Sequence, residues 1–170
     1  MNTSAFFESL GKIVSVIAGL GGGYWTFLKW FKRDEHFPRI DFNMNIEVLG
    51  QKKVHTVLNI IATLENRGVV PLKIKNFVCK LRGIDRAESL ELGGDEIRNQ
   101  LNFKTKLGGG SYLPIKWPYA FVYPGVKTAF SYVTIVPRTT EFVLALAEFE
   151  YLANGETHHA GKVMKMPKRI

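Results

Sequence analysis

The chain has 170 residues, 46% of them hydrophobic, and a formal net charge of +8. It is too apolar for a disordered chain and too polar for a protein that crosses a membrane many times. Its single cysteine, Cys79, excludes an intrachain disulfide, the usual staple of a small exported domain.

The first marked segment is IVSVIAGLGGGYWTFLKWF, residues 13–31. No charged side chain occurs from Ile13 to Leu28, and at ~1.5 Å per residue the run covers roughly 28 Å, close to a bilayer's apolar thickness. Tyr24, Trp25, Trp30 and Phe31 gather at one end, as an interfacial belt does. A cleaved signal peptide would end in small residues and turn polar, whereas here the glycines run straight into YWTFLKWF. The segment therefore predicts one transmembrane helix over about 11–31, within an anchor and short linker spanning 1–36. Lys29, Lys32 and Arg33 follow or close the run and suit anionic headgroups. Before it stands only Lys12, so the positive-inside rule places residues 37–170 in the cytoplasm, on the inner or plasma membrane.

The same helix carries Gly11, Ser15, Gly19 and Gly23 at four-residue spacing. Small residues in such a row let a second helix approach closely, so the row predicts a homo-oligomer. The plainer alternative is that glycine is simply common in membrane helices.

Residues 37–170 hold 19 Lys/Arg and 12 Asp/Glu, a balance of 19 − 12 = +7. The excess charge belongs to this domain and predicts attraction to anionic lipid or a nucleotide; nucleic acid is a weaker expectation. Pro38 stops helical continuation. Residues 40–49 alternate strictly, Ile40, Phe42, Met44, Ile46 and Val48 against Asp41, Asn43, Asn45 and Glu47, which is a half-buried strand. Gly50–Lys53 reads as a turn, and residues 54–65 as a second strand with Leu58, Ile60, Ala62 and Leu64 inward.

Asn66-Arg67-Gly68 is a tight turn in which Gly68 is expected at positive φ. Pro71 opens a third strand whose parity slips near Lys75-Asn76, predicting a β-bulge. Residues 89–92 and 101–107 read as short strands, and Gly108-Gly109-Gly110-Ser111 as a flexible loop tip. An aromatic segment, YLPIKWPYAFVY at 112–123, is broken by Pro114 and Pro118. Residues 126–136, 142–152 and 156–166 are the last strands; the middle one starts apolar on both faces and should lie centrally. Asn154-Gly155 is the strongest hairpin signal.

Eight or nine strands with no amphipathic helix between them predict an all-β domain. An antiparallel immunoglobulin-like β-sandwich without the disulfide comes first, and a small β-barrel is the alternative. The layout of one short anchor and one β domain is similar in outline to small membrane effectors of bacterial antiphage signalling systems, a likeness of layout that carries no residue with it.

No catalytic motif stands out. His158 and His159 are adjacent on a strand and point to opposite faces, and no H-x-x-H, H-E-x-x-H or cysteine pair offers a metal site. Cys79 holds an inward position, where a thiol behaves as a small hydrophobe. No G-x-S-x-G occurs, and no G-K-[ST] follows the glycine run. The domain reads as non-enzymatic, with no cofactor.

Two binding features remain. Lys104, Lys106, Lys116 and Lys127, with Trp117 and Tyr119, are candidates for a nucleotide site combining charge with stacking platforms; the plainer reading makes Trp117, Phe121 and Tyr123 core. Lys165, Lys168 and Arg169 lie in an acid-free basic tail, a candidate lipid contact. The expected function is a binding or interaction module held at the cytoplasmic membrane surface by a single pass, with a protein partner or nucleotide ligand. The alternative is an oligomerising, membrane-disrupting effector.

Overall fold

The computed structural model describes residues 3–31, 39–93 and 100–167. The chain divides into two units, Met1–Phe37 and Pro38–Ile170. The first contains one helix, α1 (Thr3–Phe31). It starts eight residues before the expected span. Among the described residues, however, no helix is long and apolar enough to cross a membrane. The expected transmembrane helix over 11–31 is therefore not supported. Gly19, Gly21, Gly22 and Gly23 contribute length but no apolar side chain. Ser15, Thr26, Lys29 and the polar tips of Tyr24 and Trp25 dilute the rest.

The second unit holds β1 (Ile40–Lys52), β2 (His55–Asn66), β3 (Leu72–Asp85), β4 (Thr105–Ser111), β5 (Ala120–Val122), β6 (Lys127–Pro137), β7 (Thr140–Tyr151) and β8 (Thr157–Lys165). They form two antiparallel sheets. One runs β1-β2-β6; the other runs β4-β3-β7-β8, with β5 added to β3 beside β4. The barrel alternative fails because the two sheets remain separate.

Period-2 alternation builds the core between them. Leu58, Ile60, Ala62 and Leu64 of β2 are fully buried, facing Phe77, Cys79 and Leu81 of β3 and Val143, Ala145, Ala147 and Phe149 of β7. At ~25 cal/mol per Å² of apolar surface, each Leu or Phe here contributes roughly 1.5–3 kcal/mol. Phe77 and Phe149 pack edge to face at 5.6 Å, with Phe42 tilted over Phe149 at 5.2 Å. Among the described residues, every member of the core lies between Ile40 and Met166. β7 lies centrally between β3 and β8, as its apolar start implies.

The parity slip in β3 is a bulge: the register with β7 shifts between Lys75 and Val78, and Asn76 adopts a φ of 51°. Asparagine tolerates that conformation, and its Nδ2 donates to Glu150 Oε2 at 2.8 Å. Gly155, at φ 73°, turns the β7–β8 hairpin. Three local expectations fail. Gly50, Gln51 and Lys52 pair within the β1–β2 hairpin, so the turn narrows to Lys53-Val54, with Lys53 at φ 51°. Residues 89–92 form only an isolated bridge, Leu92 to Leu101. Gly68 is not at positive φ, because the buried Asn66 side chain shapes that turn. Its Oδ1 accepts from Gly68 N at 2.9 Å, and its Nδ2 donates to Val70 O and Val122 O, each at 2.9 Å.

The glycine run is the fourth correction. Gly108, Gly109 and Gly110 are strand, opposite Leu81, Lys80 and Cys79 of β3. A Cβ on Gly109 would sit 2.5 Å from Cys79 O, and one on Gly110 2.6 Å from the Tyr132 ring. Gly108, at φ 148°, accompanies the register shift between Leu81 and Arg82.

Gly109→Ala should therefore destabilise residues 38–170 by about 1–3 kcal/mol in urea unfolding. Gly50→Ala, with nothing near the added carbon, should stay within about 0.5 kcal/mol. Equal midpoints for the two would show that β4 does not hold its glycines against β3. Asn66→Ala strips one donor and two acceptors of their partner and should cost about 2–4 kcal/mol in the same assay.

Candidate functional site

The aromatic segment makes the most distinctive surface. Ser111 Oγ accepts from Leu113 N at 3.1 Å, and Trp117 N donates to Pro114 O at 2.8 Å, folding the proline-broken stretch into a turn. Ile115 and Trp117 protrude from it, fully exposed and 58% exposed. β5 then pairs with β3, Lys73 opposite Phe121. Alternation buries Ala120 and Val122 and sends Tyr119, Phe121 and Tyr123 outward.

Those three rings form a row. Tyr119 and Phe121 meet edge to face at 5.4 Å, and Phe121 stacks on Tyr123 at 5.6 Å. Lys73 Nζ lies 5.0 Å from the Tyr119 ring centre and 5.3 Å from that of Phe121, within cation–π range. Beside the row opens a cleft of about 450 Å³, lined by Trp117, Tyr119, Phe121, Thr128 and Phe130 among others. The expected core placement of Trp117, Phe121 and Tyr123 is thus corrected: Phe121 is 41% and Tyr123 53% exposed. Edge strand β5 has only one buried face, and its inner positions go to Ala120 and Val122.

The lysines do not assemble there. Lys104 is ion-paired with Glu91. Lys106 stands opposite Arg82 on β4. Lys116 is exposed in the turn before Trp117, and Lys127 opens β6 opposite Glu65. Of the candidate nucleotide residues, only Trp117 and Tyr119 share the cleft lining. The missed cation is Lys73. Its place between Leu72 and Ile74 marked it as outward, but the β3–β5 register that sets it over two rings is non-local.

Lys165 pairs with Glu141 at 3.4 Å and lies 5.4 Å from the Phe142 ring centre. Lys32, Arg33, Lys168 and Arg169 lie outside the described residues. Lys29 is exposed in the last turn of α1. Gly11, Ser15, Gly19 and Gly23 fall along one face of α1 by their spacing, and nothing lies within 4 Å of a Cβ built on Gly19 or Gly23.

The histidines divide as their parity requires. His158 turns toward Phe149, and its Nδ1 lies 2.9 Å from the Tyr151 hydroxyl; His159 is exposed. Among the described residues no group of histidine, cysteine and carboxylate side chains could hold a metal. Burial pushes the Cys79 thiol up, away from nucleophilic thiolate.

No family model matches the chain, and no curated protein matches it. Structural genomics target BeR40 from Bordetella pertussis is similar at a TM-score of 0.46 and 14% identity, covering 78% of this chain and 97% of that one. Target SoR45 gives 0.47 and 15%, covering 75% and 87%. A protein from Archaeoglobus fulgidus gives 0.39 and 9%, covering 77% and 100%. Likeness at this level carries no functional argument.

Burial, then the neighbouring His159, hold the His158 pKa below its ordinary 6.5. The unfolded chain takes up that proton first as pH falls. Stability of residues 38–170 should therefore be full above pH 6.5 and decline as pH drops through 6.5 toward the depressed folded value. His158→Gln should flatten urea midpoints measured from pH 7.5 to 5.5; an unchanged slope would assign the effect elsewhere.

Proposed function

We propose that the chain is a non-catalytic binding module working at the cytoplasmic face of a membrane, with the aromatic cleft as its protein-docking surface. The observation that carries the reading is the uncovered row of Tyr119, Phe121 and Tyr123 beside Trp117. Exposed aromatic surface of this kind is costly in a monomer and typical of interfaces. The cleft lining offers ring faces and hydroxyls but no carboxylate, imidazole or thiol, which suits adhesion. Flat rings held by Lys73 are matched by an extended, proline-bearing segment, which loses little entropy on docking. The order β1-β2-β6 against β4-β3-β7-β8 supports an immunoglobulin-like reading of the sandwich.

Association with the membrane rests on α1. Val16, Ile17, Leu20, Tyr24, Trp25 and Phe27 are 55–70% exposed on it. Thr26 Oγ1 donates to Gly22 O at 2.8 Å, which satisfies the hydroxyl inside the helix and lowers the cost of apolar surroundings. The +7 balance after residue 36 suits an anionic leaflet. A second reading, an oligomerising effector, is favoured by the open Gly19 and Gly23 positions; it requires copies of α1 to pack through that face.

On uncharged phosphatidylcholine vesicles, the full chain should float in a density gradient and residues 38–170 should stay behind. A full chain that remains at the bottom sinks the membrane assignment. Trp117 is the sole tryptophan after Trp30, so its emission in residues 38–170 reports the cleft. Decaproline should shift that emission and adenosine monophosphate should not; Phe121→Ala should weaken decaproline at least tenfold. The docking reading fails if decaproline leaves the emission unchanged. Crosslinking of the full chain that Gly19→Leu/Gly23→Leu abolishes would favour the effector reading.

A further inference from the structure

The end of the sandwich remote from the aromatic row carries a second cleft, of about 370 Å³. Three connections build it: the β1–β2 turn, the exit from β3 and the β6–β7 turn, with Met166 and Pro167 alongside. Its lining includes the cations Lys53, Arg86 and Arg138 and one carboxylate, Asp85, three charges against one. Thr56 and Thr140, both buried, add hydroxyl groups to the lining.

The two arginines are held by backbone rather than by acids. Arg138 Nη1 donates to Lys53 O at 3.0 Å, and Arg86 Nη2 reaches Pro167 O at 3.5 Å. Among the described residues neither guanidinium has a carboxylate within ion-pair distance, whereas Arg67, Lys75, Lys80, Lys104 and Lys165 all do. Asp85 is occupied locally, accepting from Ala87 N at 3.1 Å. Each guanidinium has five N–H donors in a fixed fork, so most remain for a ligand. Lys53 adopts its left-handed φ of 51° in the turn whose carbonyl Arg138 grips, and strained backbone of this kind concentrates at binding sites.

We propose that this cleft binds a phosphate-bearing group, taken by Arg86 and Arg138 with Lys53 supplying further charge. Bidentate guanidinium contacts suit phosphate oxygens, and the volume falls within the range of small-molecule sites. The site is distinct from the aromatic cleft: Lys73 and Arg86 are separated by nearly the whole of β3.

The test is calorimetric titration of the full chain with adenosine triphosphate and with inorganic phosphate, together with flotation of residues 38–170 on phosphatidylglycerol vesicles. Binding of the soluble phosphates that Arg86→Gln weakens at least tenfold, and that rising salt weakens further, supports the proposal with a free ligand. Flotation lost in Arg86→Gln supports it with a lipid headgroup as the source. Arg138→Lys keeps the charge but loses the fork, and should weaken binding while the melting temperature shows the domain folded. Arg67→Gln, outside the cleft, should change nothing. Absence of binding in every arm, or binding indifferent to Arg86→Gln and Arg138→Lys, overturns the proposal.

Discussion

One buried amide fixes how the loops at one end of the sandwich are laid. Asn66 is fully buried at the last position of β2, where a polar side chain must be satisfied or expelled. It is satisfied by three backbone groups from two separate stretches of chain, and its own carbonyl accepts from Gly125 N at 2.8 Å. The chain leaving β2, the approach to β3, the short strand β5 and the turn into β6 are thereby tied to one point. The outward display of Tyr119, Phe121 and Tyr123 depends on β5 lying where Asn66 holds it. A structural amide in the core thus sets the position of the surface on which binding is proposed.

The long flanks are laced by ion pairs, such as Lys75 with Glu150 at 2.7 Å and Lys80 with Glu148 at 2.9 Å. Such exposed pairs contribute little stability. Cations stand at both ends: Arg86 and Arg138 beside the β6–β7 turn, and Lys73 over the Tyr119 and Phe121 rings at the β5 end.

What could be read from the sequence was whatever burial writes with period two. Leu58, Ile60, Ala62 and Leu64 announce β2 because each alternate position must leave water, and the slip at Lys75-Asn76 announces a bulge because parity cannot change otherwise. Glycine writes nothing of this kind: Gly108–Gly110 resemble a loop until the proximity of Cys79 O and Tyr132 is known. The proline-broken aromatic stretch has no period either, so the expectation that Trp117, Phe121 and Tyr123 are core had no alternation to test it. The cleft around Arg86 and Arg138 joins residues from distant turns, and no local pattern anticipates it. In α1 the length of the uncharged run was legible from the absence of charge between Ile13 and Leu28.

The bare backbone of β4 has a further consequence. Among the named strands β4 pairs only with β3, so its other side is an outer margin of the five-stranded sheet. Three consecutive residues there present amide groups with no side chain to shield them, a template on which another chain's strand could add. Lys104 and Lys106 stand four and two residues before Gly108 and are exposed. Charged flanks are how natural sheets discourage such growth. Charge beside a margin that must be bare for packing is the arrangement that keeps such an edge from becoming a seed for aggregation.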